Sequence, residues 1–241
     1  MHNGIIQVMA VQDRLFRDSY WSFDIRSELA TAFHEFKRQF GSDFKLKEIK
    51  DWDSVGSTAL RNYPFNLIQK VSKGLSMPEI VEYLVGACKG EMELPLEVSK
   101  DEKSVIIKQL KGKSLSYQMG FLEARLGSWL EECFFKDLQG KEPIDLSIGL
   151  VFALSGKISI WSHSAGCAKI GKIFTEDAYI LVGNSSIRGT QPSKVILHEI
   201  GHALGANHTE DDFVMKQGSV SSYDFDPESR DIISKKLDSI V

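Results

Sequence analysis

The sequence is poor in cysteine, with three in 241 residues: Cys88, Cys133 and Cys167. They are widely spaced and form no C-x-x-C pair, which argues against a disulfide framework and a cysteine-built zinc site. The expectation is three reduced, mostly buried thiols. Long apolar runs are also missing. No stretch of 18 or more such residues exists, so no transmembrane helix and no membrane partner are expected. The start, Met1 to Ile6, lacks the basic segment of a signal peptide. The expectation is a chain in the cytoplasm, or outside the cell if a leader has been removed, and the sequence leaves the two open. There is no excess of positive charge either. Twenty-nine Lys and Arg face 33 Asp and Glu, a formal net charge of -4, which argues against a nucleic-acid surface. Lys108 to Lys113 reads as a solvated face. Internal repeats and low-complexity linkers are absent. What is present, 42% hydrophobic and 26% charged residues, is the balance of a soluble globular chain able to bury a sizeable core.

Ile5 to Val11 carries two Ile and two Val and reads as a buried strand. Between Trp21 and Phe40 the apolar positions Leu29, Phe33, Phe36 and Phe40 recur at steps of four and three, a helix period. Gly41 stops that helix. Phe44 to Ile49 mostly alternates apolar and polar, so strand, helix and strand form a βαβ unit. From about 55 to 142 the texture changes. Helical periodicity runs around Phe65 to Val71, Met77 to Cys88 and Gln118 to Phe135, broken by Gly74, Gly90, Pro95 and Gly112. One or two short strands fit within Leu94 to Leu110. This stretch reads as a mostly helical insertion in a single domain spanning 1–241. Strand signals return at Leu146 to Leu154, more weakly at Cys167 to Ile173, and clearly at Ala178 to Val182. Pro192 suits the first turn of a helix reaching about Leu204.

That helix opens His198-Glu199-Ile200-Gly201-His202-Ala203-Leu204-Gly205-Ala206-Asn207-His208, or H-E-x-x-H-x-x-G-x-x-H. His198 and His202 are four residues apart, about 40° of rotation and roughly 6 Å of rise. Both imidazoles can therefore reach one ion at about 2.0–2.1 Å. Glu199 lies within about 100° of both on the helical wheel, close to a water on the ion without binding it. On a continued helix His208 would lie about 15 Å beyond His198, so the chain must turn back. Gly205 is placed to end the helix, and Asn207 tolerates unusual backbone angles. A bare H-E-x-x-H arises by chance in about one chain in a hundred of this length, and the full motif in roughly one in 10⁵. Two histidines sharing a helix face by accident is the competing reading, and the helix and turn signals around them disfavour it. Three neutral imidazoles suit one catalytic zinc ion with a fourth position open. Zinc chemistry at water with a glutamate base suits hydrolysis of a peptide bond.

The long motif resembles that of the metzincin zinc metallopeptidases. The family adds a methionine turn beneath the metal, and Met215 in Phe213-Val214-Met215-Lys216-Gln217 is the matching residue. The resemblance implies an α/β (α+β) fold: a twisted, mixed, mostly parallel sheet with an antiparallel edge strand at 167–173, an active-site helix and a C-terminal helix. That last helix is capped at Asp226-Pro227-Glu228, with Ile233, Leu237 and Ile240 on its apolar face. The implied function is a metalloendopeptidase acting on peptides or proteins, with His198, His202 and His208 as ligands and Glu199 as general base. The pocket for the residue after the cleaved bond would lie between Val195 and the segment from Lys216 and Gln217 to Val220. The sequence departs from the family in places. Gln217 stands where one variant has a tyrosine ligand, and the Pro-Arg-Cys-Gly latency segment is absent. The alternative function is a zinc-bearing binding or regulatory module with a covered cleft; retention of Glu199 favours the enzyme. Subfamily and oligomeric state stay open.

Overall fold

The structure is a computed structural model and describes residues 5–18, 22–53, 108–109, 111–114, 117, 135–155, 165–183, 190–218 and 220–240. The chain divides into two compact units, Met1–Ser54 with Phe135–Val241, and Val55–Phe134. Nearly all of the helical segments and short strands expected between 55 and 134 lie outside the described residues; Lys108 and Gln109, at the end of the stretch read as short strands, are helical. Within the second unit, the Lys113 ammonium stands 5.3 Å from the centre of the Tyr117 ring.

The first unit is a five-stranded sheet with helices. Strand β1 (Ile5–Asp13) leads through the single turn α1 (Arg14–Arg17) to helix α2 (Ile25–Phe40), then strand β2 (Asp43–Trp52). Strands β3 (Leu150–Leu154), β4 (Gly166–Ala168) and β5 (Tyr179–Val182) follow, then helices α3 (Pro192–Ala203) and α4 (Pro227–Asp238). The strand order is β2-β1-β3-β5-β4. The first four strands are parallel, and β4 runs antiparallel to β5 at the edge. This is the mixed, mostly parallel sheet expected from the sequence. The runs VMAV in β1, LVFAL in β3 and YILV in β5 are buried throughout, as parallel strands covered on both faces must be.

Local signals explain the helix limits. Asp24 caps α2 by accepting from the N–H groups of Arg26 and Ser27, and Gly41 ends it at φ 74°. Asp226 caps α4 through Ser229 N–H at 2.9 Å, with Pro227 in the first turn. Leu29, Phe33 and Phe36 of α2 are buried and join the core with Phe44 and Phe152, Ile196, Leu197 and Ile200 of α3, and Ile233 and Leu237 of α4. The expected strand from Leu146 begins instead at Leu150. Asp145 accepts from Ser147 N–H at 3.0 Å and from Ile148 N–H at 2.8 Å. That turn, followed by Gly149 at φ 85°, holds the chain off the ladder, and Leu146 is exposed. The edge strand is likewise shorter than 167–173, because the chain turns after Ala168.

Candidate active site

The helix α3 carries four of the residues singled out above, and its C-terminal end carries the turn. Leu204 caps the helix, Gly205 adopts φ 107°, Gly205 N–H donates to His202 O at 2.9 Å and Ala206 N–H donates to Gly201 O at 2.9 Å. These two bonds are the paired closure of a Schellman motif, which needs a left-handed residue at Gly205. The chain reverses there and returns His208 to the helix face. The ring centres of His198 and His202 are 4.6 Å apart, those of His202 and His208 4.7 Å, and those of His198 and His208 5.2 Å.

Each helical histidine is oriented through its inner nitrogen. His198 Nδ1 lies 2.6 Å from Val214 O, and His202 Nδ1 lies 2.8 Å from Ala206 O. A carbonyl can only accept, so both imidazoles carry their proton on Nδ1 and leave Nε2 bare. Burial pushes the His198 imidazole down to about 4, with the charges of His202 and His208 acting in the same direction. Burial lowers His202 and His208 as well. Neutral rings with free Nε2 atoms are what a metal requires.

The donor set fits an ion. The ligand atoms of His198, His202 and His208 all lie within 4.8 Å of one another, and the Nε2 atoms of His202 and His208 are 3.1 Å apart. Ligands at about 2.0–2.1 Å in a tetrahedron stand roughly 3.3 Å from each other. His198 and His202 are 9% and 7% exposed while His208 is exposed, so the cluster is open on one side.

Glu199 is buried beside the two helical histidines. Met215 is fully buried, and Thr209 N–H donates to Met215 O at 3.0 Å, pinning the methionine segment under the returning loop. Gly201 makes this possible: a Cβ there would collide with Met215 Sδ and stand 2.8 Å from Phe225 Cε1. The structure thus brings His198, Glu199, His202, His208 and Met215 together. Val195 is 6% exposed and sits in the apolar core. Lys216 is half-buried and pairs with Asp212 at 3.5 Å, and Gln217 is exposed.

The sequence did not point to the supports of α3. Glu28 of α2 accepts from Ser193 N–H at 2.8 Å, and Tyr223 lies 2.8 Å from Ser193 Oγ and donates to Gln191 Oε1 at 2.8 Å. These contacts secure the first turn, where backbone N–H groups lack helical partners. Gln39 ties the segment after Met215 to the end of α2, through Tyr223 O at 2.9 Å and Phe225 N–H at 3.0 Å.

The family model of the Reprolysin-like metallo-peptidases, family M12B, matches residues 135–209. This segment is reprolysin-like. It contains the helix, the turn and all three histidines, and it supports the metzincin-type resemblance carried by the long motif. No curated protein matches the chain. Among solved structures it is similar to metalloproteinase-II from Bacteroides fragilis, at 11% identity and a TM-score of 0.42, over 98% of this chain and 54% of that one. It is also similar to a chain in a chaperone–substrate complex, at 10% identity and a TM-score of 0.45, over 99% of this chain and 34% of that one. The chain therefore spans about half of the first and a third of the second, and likeness at that level decides nothing about activity.

Proposed function

We propose that the chain is a zinc-dependent endopeptidase, with His198, His202 and His208 holding one ion and Glu199 acting as general base. The convergence of three neutral imidazoles on one point, beside a buried carboxylate, is the observation that carries this reading. A zinc ion there would supply Lewis acidity, making water nucleophilic near neutral pH and polarising a carbonyl. The protein's own part is to orient and to move protons. Val214 O and Ala206 O fix the tautomers of His198 and His202. Glu199 takes the proton of the attacking water and passes it to the departing amine, which splits the peptide bond. Met215 packs beneath the ligands and binds nothing. Val195, Lys216 and Gln217 would border the pocket for the residue after the cleaved bond. Peptides and proteins are then the partners.

Elemental analysis of purified protein, combined with digestion of a peptide library, tests the reading. The expected result is one zinc per chain and internal cleavage of peptides. Protein that takes up no zinc overturns the metal site. Protein that takes up zinc but cleaves nothing is a metal-bearing binding module.

A further inference from the structure

Glu199 rests against the backbone of the edge strand. A Cβ placed on Gly166 would stand 2.8 Å from Glu199 Cγ, 2.8 Å from its Oε1 and 3.0 Å from its Cδ. Non-bonded carbons pack at about 3.5–4.0 Å, so no side chain fits there with Glu199 where it is. Backbone conformation does not explain the glycine. Gly166 is not among the residues at positive φ, and it pairs with Val182 in ordinary antiparallel register. What the position requires is space.

Neither wall of this contact can easily retreat. β4 is held to β5 by its ladder, extended by Gly183 N–H donating to Ala165 O at 2.7 Å. The chain beyond β4 is tied to α3, with Gly171 N–H on His202 O at 2.8 Å and Ile173 N–H on Ala203 O at 3.2 Å. The helix backbone at Glu199 is fixed by the buried residues on either side of it. The Glu199 side chain is the soft partner, and it is the one that would move.

We infer that Gly166 is a positioning residue: by lacking a side chain it sets where the Glu199 carboxylate lies beside the histidine cluster. Its consequence for catalysis rests on the peptidase reading above; the contact itself does not. Gly166→Ala displaces the carboxylate and leaves the three imidazoles alone. Misplacing a reacting group by about 1 Å can cost on the order of 10²-fold in rate. A fall in kcat approaching that size is expected, with KM within about twofold and zinc content unchanged.

A thermal-melting cycle on the metal-free protein tests the contact without activity. Gly166→Ala should lower Tm by several degrees in the wild-type background and equally beside Glu199→Gln, which keeps the same shape. Beside Glu199→Ala, which removes Cγ, Cδ and Oε1, the loss should disappear. If Gly166→Ala alone does not fold, the double variant with Glu199→Ala should recover folding. The same loss of Tm in every background, or no recovery, would show that Gly166 makes room for something else and overturns the inference. An unchanged kcat in an active Gly166→Ala enzyme overturns its catalytic part. If the wild type cleaves nothing, the peptidase reading falls, while the melting cycle still decides whether Gly166 sets the place of Glu199.

Discussion

Glu199 and Gly201 stand two residues apart on α3 and answer to opposite neighbours. Glu199 touches β4, whereas Gly201 receives the Met215 thioether. Glu199→Gln keeps shape and burial but removes the carboxylate proposed as the base. Zinc content and Tm should hold while peptide hydrolysis falls by at least about 10²-fold, the lower range for lost general acid–base catalysis. Retained turnover in Glu199→Gln would assign the proton transfers to another group. At Gly201 two effects compete. Alanine favours a helix interior by about 1 kcal/mol over glycine, but forcing a methyl into a packed core costs typically about 1–3 kcal/mol. The collision with Met215 and Phe225 should win, so Gly201→Ala should lower the midpoint of urea denaturation. A raised midpoint would mean that Met215 repacks freely. His198 makes a third prediction at this scale. Its pKa falls from 6.5 to about 4 on folding, so between those values the unfolded chain binds a proton that the native one refuses. Stability of the metal-free protein should be full above pH 6.5 and decline as pH falls toward 4. At 1.36 kcal/mol per unit the shift amounts to about 3 kcal/mol, and His202 and His208 act in the same direction. Urea titrations across that range check it; a midpoint independent of pH would count against a buried neutral imidazole.

The supports of α3 come from another element, and that decides what a reader of the sequence could find. Glu28 reaches the first turn of α3 across 165 residues of chain. Removing such a cap costs about 1 kcal/mol, and Glu28 also sits favourably at the positive end of the helix dipole. Glu28→Ala should reduce stability by about that amount and Glu28→Gln by less, measured by denaturation. Equal losses would make this a packing contact. Local signals were legible: the helix period ending at Phe40 and Gly41, the β-branched runs of β1 and β5, Pro192 at the start of α3, and the motif with its turning Gly205. Their information lies within a few residues of the element they specify. β4 was blurred, because Gly-Cys-Ala has little strand preference and only its pairing with β5 makes it a strand. Leu146 misled, since its apolar neighbours look like a strand and the Asp145 turn overrides them. The roles of Glu28, Gly166 and Gly201 were invisible, because each depends on an atom brought close by the fold.

Across the first unit, the metal and the fold are expected to be linked. Anything that binds the native state alone stabilises it, by about 4.1 kcal/mol at a free concentration of 1,000 Kd. Chelation should therefore lower Tm, and added zinc should restore it with a dependence on concentration. An unchanged Tm would mean that the ion adds nothing to native stability.

The order of the sheet also has a temporal side. β1 is flanked by β2 on one side and β3 on the other, yet β3 begins at Leu150, almost a hundred residues after Trp52 ends β2. A ribosome adding roughly 5–20 residues per second delivers that third strand some 5–20 seconds after the second. Through that interval the N-terminal βαβ has one flank of β1 unpaired, and the phenylalanines of α2 lack Phe152 and the whole of α3. Nascent chains halted before residue 150 should be the ones that chaperones hold and proteases cut.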